Sequence, residues 1–139
     1  MIGNILQGKK LLVSVTRAAR IGEILELLHR HRIGAVLVVE GGHIHGLVSE
    51  RDICRALHTL GPRLLEETAV AVMSSPVVTA RVSDSVSAAM EVMTDRRFRH
   101  LPVVEGGRIL GLVSIGDLVK YRIQEIESEA AALKTYIAS

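Results

Sequence analysis

Val38-Val-Glu-Gly-Gly-His-Ile-His-Gly-Leu-Val-Ser-Glu-Arg-Asp52 returns 65 residues later as Val103-Val-Glu-Gly-Gly-Arg-Ile-Leu-Gly-Leu-Val-Ser-Ile-Gly-Asp117, with eleven of fifteen positions identical. A repeat in register outranks any local motif, because it says that one small unit is built twice. It also predicts two related surfaces, so a site on one copy has a counterpart on the other. Units of roughly 60 residues are marginally stable alone, and the copies are therefore expected to share a buried interface.

Within the repeat, Gly41-Gly42 and Gly106-Gly107 follow β-branched runs at Ile33 to Val39 and Leu101 to Val104. Adjacent glycines admit positive φ without a Cβ clash, so each pair is read as a hairpin turn. His43–Ser49 and Arg108–Ser114 are the returning strands, interrupted at equal places by Gly46 and Gly111. A glycine inside a strand predicts a bulge or the close approach of something else. A helix is expected after each hairpin, from about Asp52 to Leu60 and from Asp117 onward.

Upstream, Leu11 to Val15 and Val77 to Ala80 read as short apolar strands. Ile21, Ile24, Leu25 and Leu28 recur at helical spacing, as do Val86, Ala89, Met90 and Met93. Ser83 or Asp84 can cap the second of these helices. The first copy has Ala18 and Ala19 there, which specify a start less well. Each unit is thus β-α-β-β-α, an α+β fold. Leu60-Gly61-Pro62 stops the first unit, and residues 63–76 are a linker or short helix. The expected division is 8–62, 70–123 and a helical extension at 124–139. In that last helix Ile123, Ile126, Ala130, Leu133 and Ile137 form an apolar stripe that must pack on the body or on a partner subunit.

The bulk numbers fit this plan. The chain is 48% hydrophobic and 23% charged, a globular balance. Phe98, Tyr121 and Tyr136 are the only aromatics, so aliphatic residues supply the core and a base-stacking platform is poor. The net charge of +2 lacks the basic stripe that nucleic-acid binding calls for, and the Arg96-Arg97-x-Arg99 run is a weak basis for it. No nucleic-acid partner is expected. Cys54 is the sole cysteine. Its repeat equivalent is Val119, which predicts a small apolar core position. Lys9 and Lys10 lack the apolar run of a signal peptide, and no segment is long enough to span a membrane. A cytoplasmic protein without a membrane partner is expected.

Together, Arg99-His-Leu-Pro-Val-Val-Glu105, Gly106-Gly-Arg-Ile-Leu-Gly-Leu-Val-Ser-Ile-Gly-Asp-Leu118, and the first copy's Val38-Val-Glu-Gly-Gly and Ile44-His-Gly-Leu-Val-Ser-Glu-Arg-Asp-Ile53 resemble the CBS domain family. The resemblance covers about Leu11 to Ile123, with the copies as a tandem CBS domain pair, or Bateman module. It implies two units related by a pseudo-two-fold axis, with two clefts between them. Those clefts take AMP, ADP, ATP, S-adenosylmethionine or NAD(H), and the modules pair again into a homodimer. The length leaves no room for an attached enzyme, so the similarity is to small stand-alone modules acting on a separate regulated protein.

The resemblance points to named residues, each with a plainer reading beside it. An ionised carboxylate offers acceptors and no donors, which suits the two adjacent ribose hydroxyls; this is the role implied for Asp52 and Asp117. Ser49-x-x-Asp52 and Ser114-x-x-Asp117 equally fit helix caps, which also favour acidic residues on dipole grounds. Ser49 and Ser114 stand between capping and contacting ribose or phosphate. Arg99, with a planar fork of five donors suited to phosphate, and His100 are implied to face a cleft. The plainer reading is a solvated face. Their counterparts are Gly34 and Ala35, whereas Arg51, the first copy's phosphate candidate, matches Gly116. The clefts are therefore expected to differ. Ser14, Val77, Val78 and Thr79 belong to strands implied to line adenine, and Ile44, Ile109 and Leu110 to help line the clefts. Ordinary strand burial explains each as well.

His43, His45, His29 and His31 lack ligand partners at a convincing metal spacing. No nucleophile-and-base pattern, metalloenzyme motif or phosphate loop is present, so a non-catalytic protein is expected. The rival to a nucleotide sensor is a structural or protein-interaction module with degenerate clefts that does not depend on nucleotide.

Overall fold

The computed structural model describes residues 1–7 and 12–138. Lys9, Lys10, the expected strand start at Leu11 and the boundary at residue 8 lie outside these. In chain order the elements are α1 (Ile2–Leu6), β1 (Ser14–Val15), α2 (Ile21–His31), β2 (Ala35–Glu40), β3 (His43–Ser49) and α3 (Glu50–Leu60). A 3-10 helix at Gly61–Glu66 follows, then α4 (Ala69–Val72), α5 (Val86–Arg96), β4 (His100–Glu105), β5 (Arg108–Ser114) and α6 (Ile115–Ala138). These form two compact units, Leu11–Val78 and Met1–Lys10 with Thr79–Ser139. They are called here the first-copy and second-copy units.

Both glycine pairs turn hairpins, with φ of 60° and 77° at Gly41 and Gly42 and of 57° and 76° at Gly106 and Gly107. The antiparallel registers match, from Ala35↔Ser49 to Glu40↔His43 and from His100↔Ser114 to Glu105↔Arg108. Each pairing shifts at one place, where His45 and Leu110 are the extra residues opposite Val38/Val39 and Val103/Val104. The strand glycines meet both expectations at once. Each flanks the bulge, and each is covered closely: a Cβ on Gly46 would stand 2.5 Å from Met73 Sδ, and one on Gly111 2.7 Å from Leu6 Cδ2.

The first-copy unit has a three-stranded sheet, β1-β2-β3, with β1 parallel to β2. Its α2 buries Ile21, Ile24 and Leu28 in a core with Val36, Val38, Val48, Ile53, Leu64 and Ala69. A buried aliphatic side chain of this size contributes about 1.5–3 kcal/mol over its exposed state, so this stripe is a main support of the unit. The second-copy unit keeps the two-stranded sheet β4-β5. Its first strand shrinks to a single parallel bridge, Ala80↔Val103. Val86, Ala89, Met93, Leu101, Val103, Val113 and Leu118 are among its buried apolar residues. The tandem β-α-β-β-α plan is present.

Several local expectations are corrected. The cap of α5 is Ser85, whose side chain accepts from Ala88 N at 3.0 Å. Asp84 instead accepts from Arg81 N at 2.9 Å, one turn too early to serve the helix. The first copy's α2 indeed has no side-chain cap at Arg20. The helices α3 and α6 begin two residues before Asp52 and Asp117, because the serines at 49 and 114 precede their first turns. Cys54 is exposed, and Val119 is 39% exposed, so their shared position is no core site. Both follow a buried partner (Ile53 and Leu118) and point away from it.

Two features had no sequence signal. Ile2 of α1 is fully buried, and its helix is tied to the second-copy unit by Ile2 N to Asp84 O and Gly3 N to Val82 O, both 3.0 Å. Arg32 and Arg97, also 65 apart, end α2 and α5 in the left-handed conformation, with φ of 53° and 58°. Glycine is the usual residue there.

Candidate functional site

The repeated serine and aspartate form a reciprocal cap at the end of each hairpin. In the first copy, Asp52 N donates to Ser49 Oγ at 3.2 Å while Ser49 N donates to Asp52 Oδ2 at 2.9 Å. In the second, Asp117 N donates to Ser114 Oγ at 3.1 Å and Ser114 N to Asp117 Oδ2 at 2.9 Å. This satisfies first-turn donors that the helix itself leaves open. It also fixes each carboxylate in place, at the spot where acidic charge suits the helix dipole.

The hairpin register then decides what stands beside the cap. His100 lies directly opposite Ser114, and the Arg99 carbonyl accepts from Ile115 N at 2.8 Å. Arg99 and His100 therefore neighbour the Ser114–Asp117 cap along the backbone of the second-copy unit, with Arg99 exposed and His100 half-buried. The first copy repeats the backbone without the chemistry. Ala35 lies opposite Ser49, and Gly34 O accepts from Glu50 N at 2.9 Å. Without a side chain at Gly34, an open hollow of about 470 Å³ borders it, lined also by Leu25, His29, Arg32 and Glu50. Basic groups at this end come from the close of α2, and Arg51 is exposed on the first turn of α3.

The carboxylates differ as well. Asp52 is 9% exposed, and its Oδ2 also accepts from Ser49 Oγ at 2.9 Å. Its other oxygen, Oδ1, accepts from Ser74 Oγ at 2.9 Å. Ser74 reaches it because residue 74 pairs with Leu47 through two backbone bonds of 2.8 and 3.0 Å, adding to the free edge of β3. Reading the sequence missed Ser74, since the repeat places Lys9 at the equivalent position. Asp117 is half-buried.

The remaining candidates are spread out. Ser14 is exposed on β1 opposite Leu37, two residues along β2 from Ala35. Val77 and Val78 are half-buried in the first-copy unit, while Thr79 is exposed and precedes the Ala80 bridge. Ile109 pairs with Val104 at the turn end of its hairpin. Five residues of strand, about 17 Å, separate it from Ser114, so the hairpin does not bring it to the cap. Ile44 stands likewise against Val39. Among the described residues, no group of three or more His, Cys, Asp or Glu is placed to hold a metal ion. No helix among them is long and apolar enough to cross a membrane.

Comparison with known proteins agrees with the geometry. The pattern of the CBS domain matches residues 9–59 and 69–124. The chain is 33% identical over 121 residues to a mitochondrial CBS domain-containing protein of Arabidopsis thaliana, covering 83% of this chain and 58% of that protein. It is 33% identical over 112 residues to a CBS domain-containing protein of Bacillus subtilis, covering 80% and 76%. The chain thus spans little more than half of the first relative and about three quarters of the second. Among solved structures, a CBS-domain protein of Agrobacterium tumefaciens superposes with a TM-score of 0.83 at 37% identity, over 87% of this chain and 98% of that one. A CBS domain protein of Pyrobaculum aerophilum, solved in complex with AMP, superposes with a TM-score of 0.73 at 32% identity, over 84% and 88%. CBS domains are non-catalytic regulatory modules, and related pairs bind adenosine-containing ligands.

Proposed function

The chain belongs to the CBS domain family, and from that premise we propose that it is a regulatory module sensing an adenosine-containing ligand: AMP, ADP, ATP, NAD(H) or S-adenosylmethionine. The observation that carries this reading is the backbone adjacency of Arg99 and His100 to the Ser114–Asp117 cap at one hairpin end. The capped carboxylate accepts from the ribose hydroxyls, and the guanidinium takes phosphate oxygens. The AMP complex of the Pyrobaculum relative supports the ligand class. In this reading Ser14, Val77 and Val78 of the first-copy unit and Thr79 of the second-copy unit serve a base through apolar contact and backbone polar groups, and Ile109, at the turn end of its hairpin, does not. Ser49, Arg51 and Asp52 form the weaker counterpart. Ligand binding stabilises the arrangement that binds it, and that bias is the signal passed to a regulated protein. The working form is a cytoplasmic homodimer.

Calorimetry and thermal melting with AMP, ADP, ATP, NAD, NADH and S-adenosylmethionine test the proposal. Saturable heat and a raised melting temperature are expected with at least one of them. No heat and no shift at millimolar ligand overturn it.

A second reading rests on a specific observation. Asp52 already accepts from Ser49 and Ser74, and its strand neighbours Gly34 and Ala35 carry no charge. A first-copy site of that kind suits a protein-interaction module that does not depend on nucleotide. Capture of one partner to the same extent with and without nucleotide favours this reading.

A further inference from the structure

The outer part of α6 carries a seam whose flanking charges select both its partner and its direction. Val119, Ile123, Ile126, Ala130, Leu133 and Ile137 follow one another at alternating steps of four and three residues. The body of the second-copy unit takes a different side of the helix, burying Leu118 and half-burying Tyr121, Arg122 and Glu125. The seam is left open: Ile123 and Ile126 are each 50% exposed, Leu133 60% and Ile137 74%. Alternating steps of three and four are the spacing of a coiled coil, with Ile123, Ala130 and Ile137 at position a and Val119, Ile126 and Leu133 at position d.

That assignment fixes the flanks. Lys120, Glu127 and Lys134 fall at position e, and Arg122, Glu129 and Tyr136 at position g. In a parallel pair, each g residue faces the e residue five places later on the other helix. Arg122 then meets the partner's Glu127, and Glu129 meets the partner's Lys134. Both pairs are of opposite sign, and two-fold symmetry makes each of them twice. In the antiparallel register that pairs all six seam residues, e faces e and g faces g. Glu127 then meets its own copy, Glu129 does the same, and Lys120 meets Lys134. Every charged pair there is repulsive. Arg122 gives up little by turning outward, because its bond to Glu125 is long, 3.5 Å, and both side chains are more than one third exposed.

We propose that two copies of this chain join along the exposed seam of α6 as a parallel helix pair. The inference rests on the homodimer proposed above and names its seam and polarity; it is independent of nucleotide. Fewer than three heptads do not hold two isolated helices together, so the seam acts within the full chain.

Disulfide trapping in the full chain tests it, with Cys54 replaced by serine because that thiol is exposed. In a parallel pair residue 130 faces its own copy, so C54S/A130C is expected to form a disulfide-linked dimer. C54S/S128C, on the far side of the helix, is expected to stay unlinked. By sedimentation, Glu129→Lys is expected to weaken the dimer about tenfold, and Glu129→Lys with Lys134→Glu to restore it. A dimer in which A130C does not cross-link overturns the seam but leaves the dimer standing. A monomer at tens of micromolar overturns both. Cross-linking confined to mixtures of I126C and A130C chains makes the pair antiparallel and overturns the polarity, as does an unchanged dissociation constant for Glu129→Lys.

Discussion

The two hairpins share turn, bulge and cap, yet the carboxylates at their ends live under different conditions. Asp52 is nearly buried, with Ser49 on one oxygen and Ser74 on the other. Asp117 is half-buried on an otherwise equivalent cap, with His100 opposite that cap's serine and Arg99 next in line. The duplicated scaffold supplies the position of a carboxylate, and neighbours outside the repeated stretch decide what that carboxylate is free to do. In the first copy both carboxylate oxygens are engaged by serines, and in the second the cap stands beside Arg99 and His100.

The sharpest test of that contrast is steric. Gly46 is crowded by three atoms of Met73, the nearest at 2.5 Å, and they run down to its Cβ. Gly46→Ala is expected to cost about 1–3 kcal/mol in denaturant unfolding. Gly111 meets chiefly one methyl carbon of Leu6, which can swing aside, so Gly111→Ala should cost clearly less. Equal losses would erase the distinction.

Asp117→Asn removes a charged acceptor from the site that also has basic groups. It is expected to weaken adenosine-ligand binding by at least about tenfold, since a hydrogen bond to a charged group is worth about 1.5–3 kcal/mol. Asp52→Asn should weaken it less, and calorimetry that found equal losses would make the two sites equivalent. Arg99→Ala should lower affinity for AMP about fivefold while leaving adenosine unaffected, as expected for a phosphate contact; a parallel loss for adenosine would move Arg99 out of that role. The smallest effect is a gain. Ser74→Ala frees one lone pair of Asp52 and is expected to raise first-copy affinity about two- to threefold. A loss instead would make Ser74 a ligand contact.

Much of this was legible in the chain. Both hairpins, both bulge glycines and both serine–aspartate caps follow from a repeat whose local chemistry is complete within fifteen residues. The capping reading of Asp52 and Asp117 is the one their hydrogen bonds show, and a capped carboxylate is also a fixed one. The elements that eluded sequence reading are those where the copies exchange equivalents. Leu6 covers Gly111 as Met73 covers Gly46, but the two lie 67 residues apart, so comparison at an offset of 65 does not align them. Five residues of α1 are too few to show a period. Equivalence with Val119 does not bury Cys54, because both positions lie on outward helix faces.

The seating of α1 has a consequence for how the chain is threaded. Residues before 11 and after 78 belong to one compact unit, and those between belong to the other. The first copy is therefore an insertion carried on two covalent crossings, not a bead hung on one. A single protease nick at either crossing leaves a covalent path at the other. During synthesis the inserted unit has all its residues by Val78. Its host must wait for the hairpin around Gly111 before Ile2 and Leu6 find their seats, so the chain's first residues are among the last to be placed.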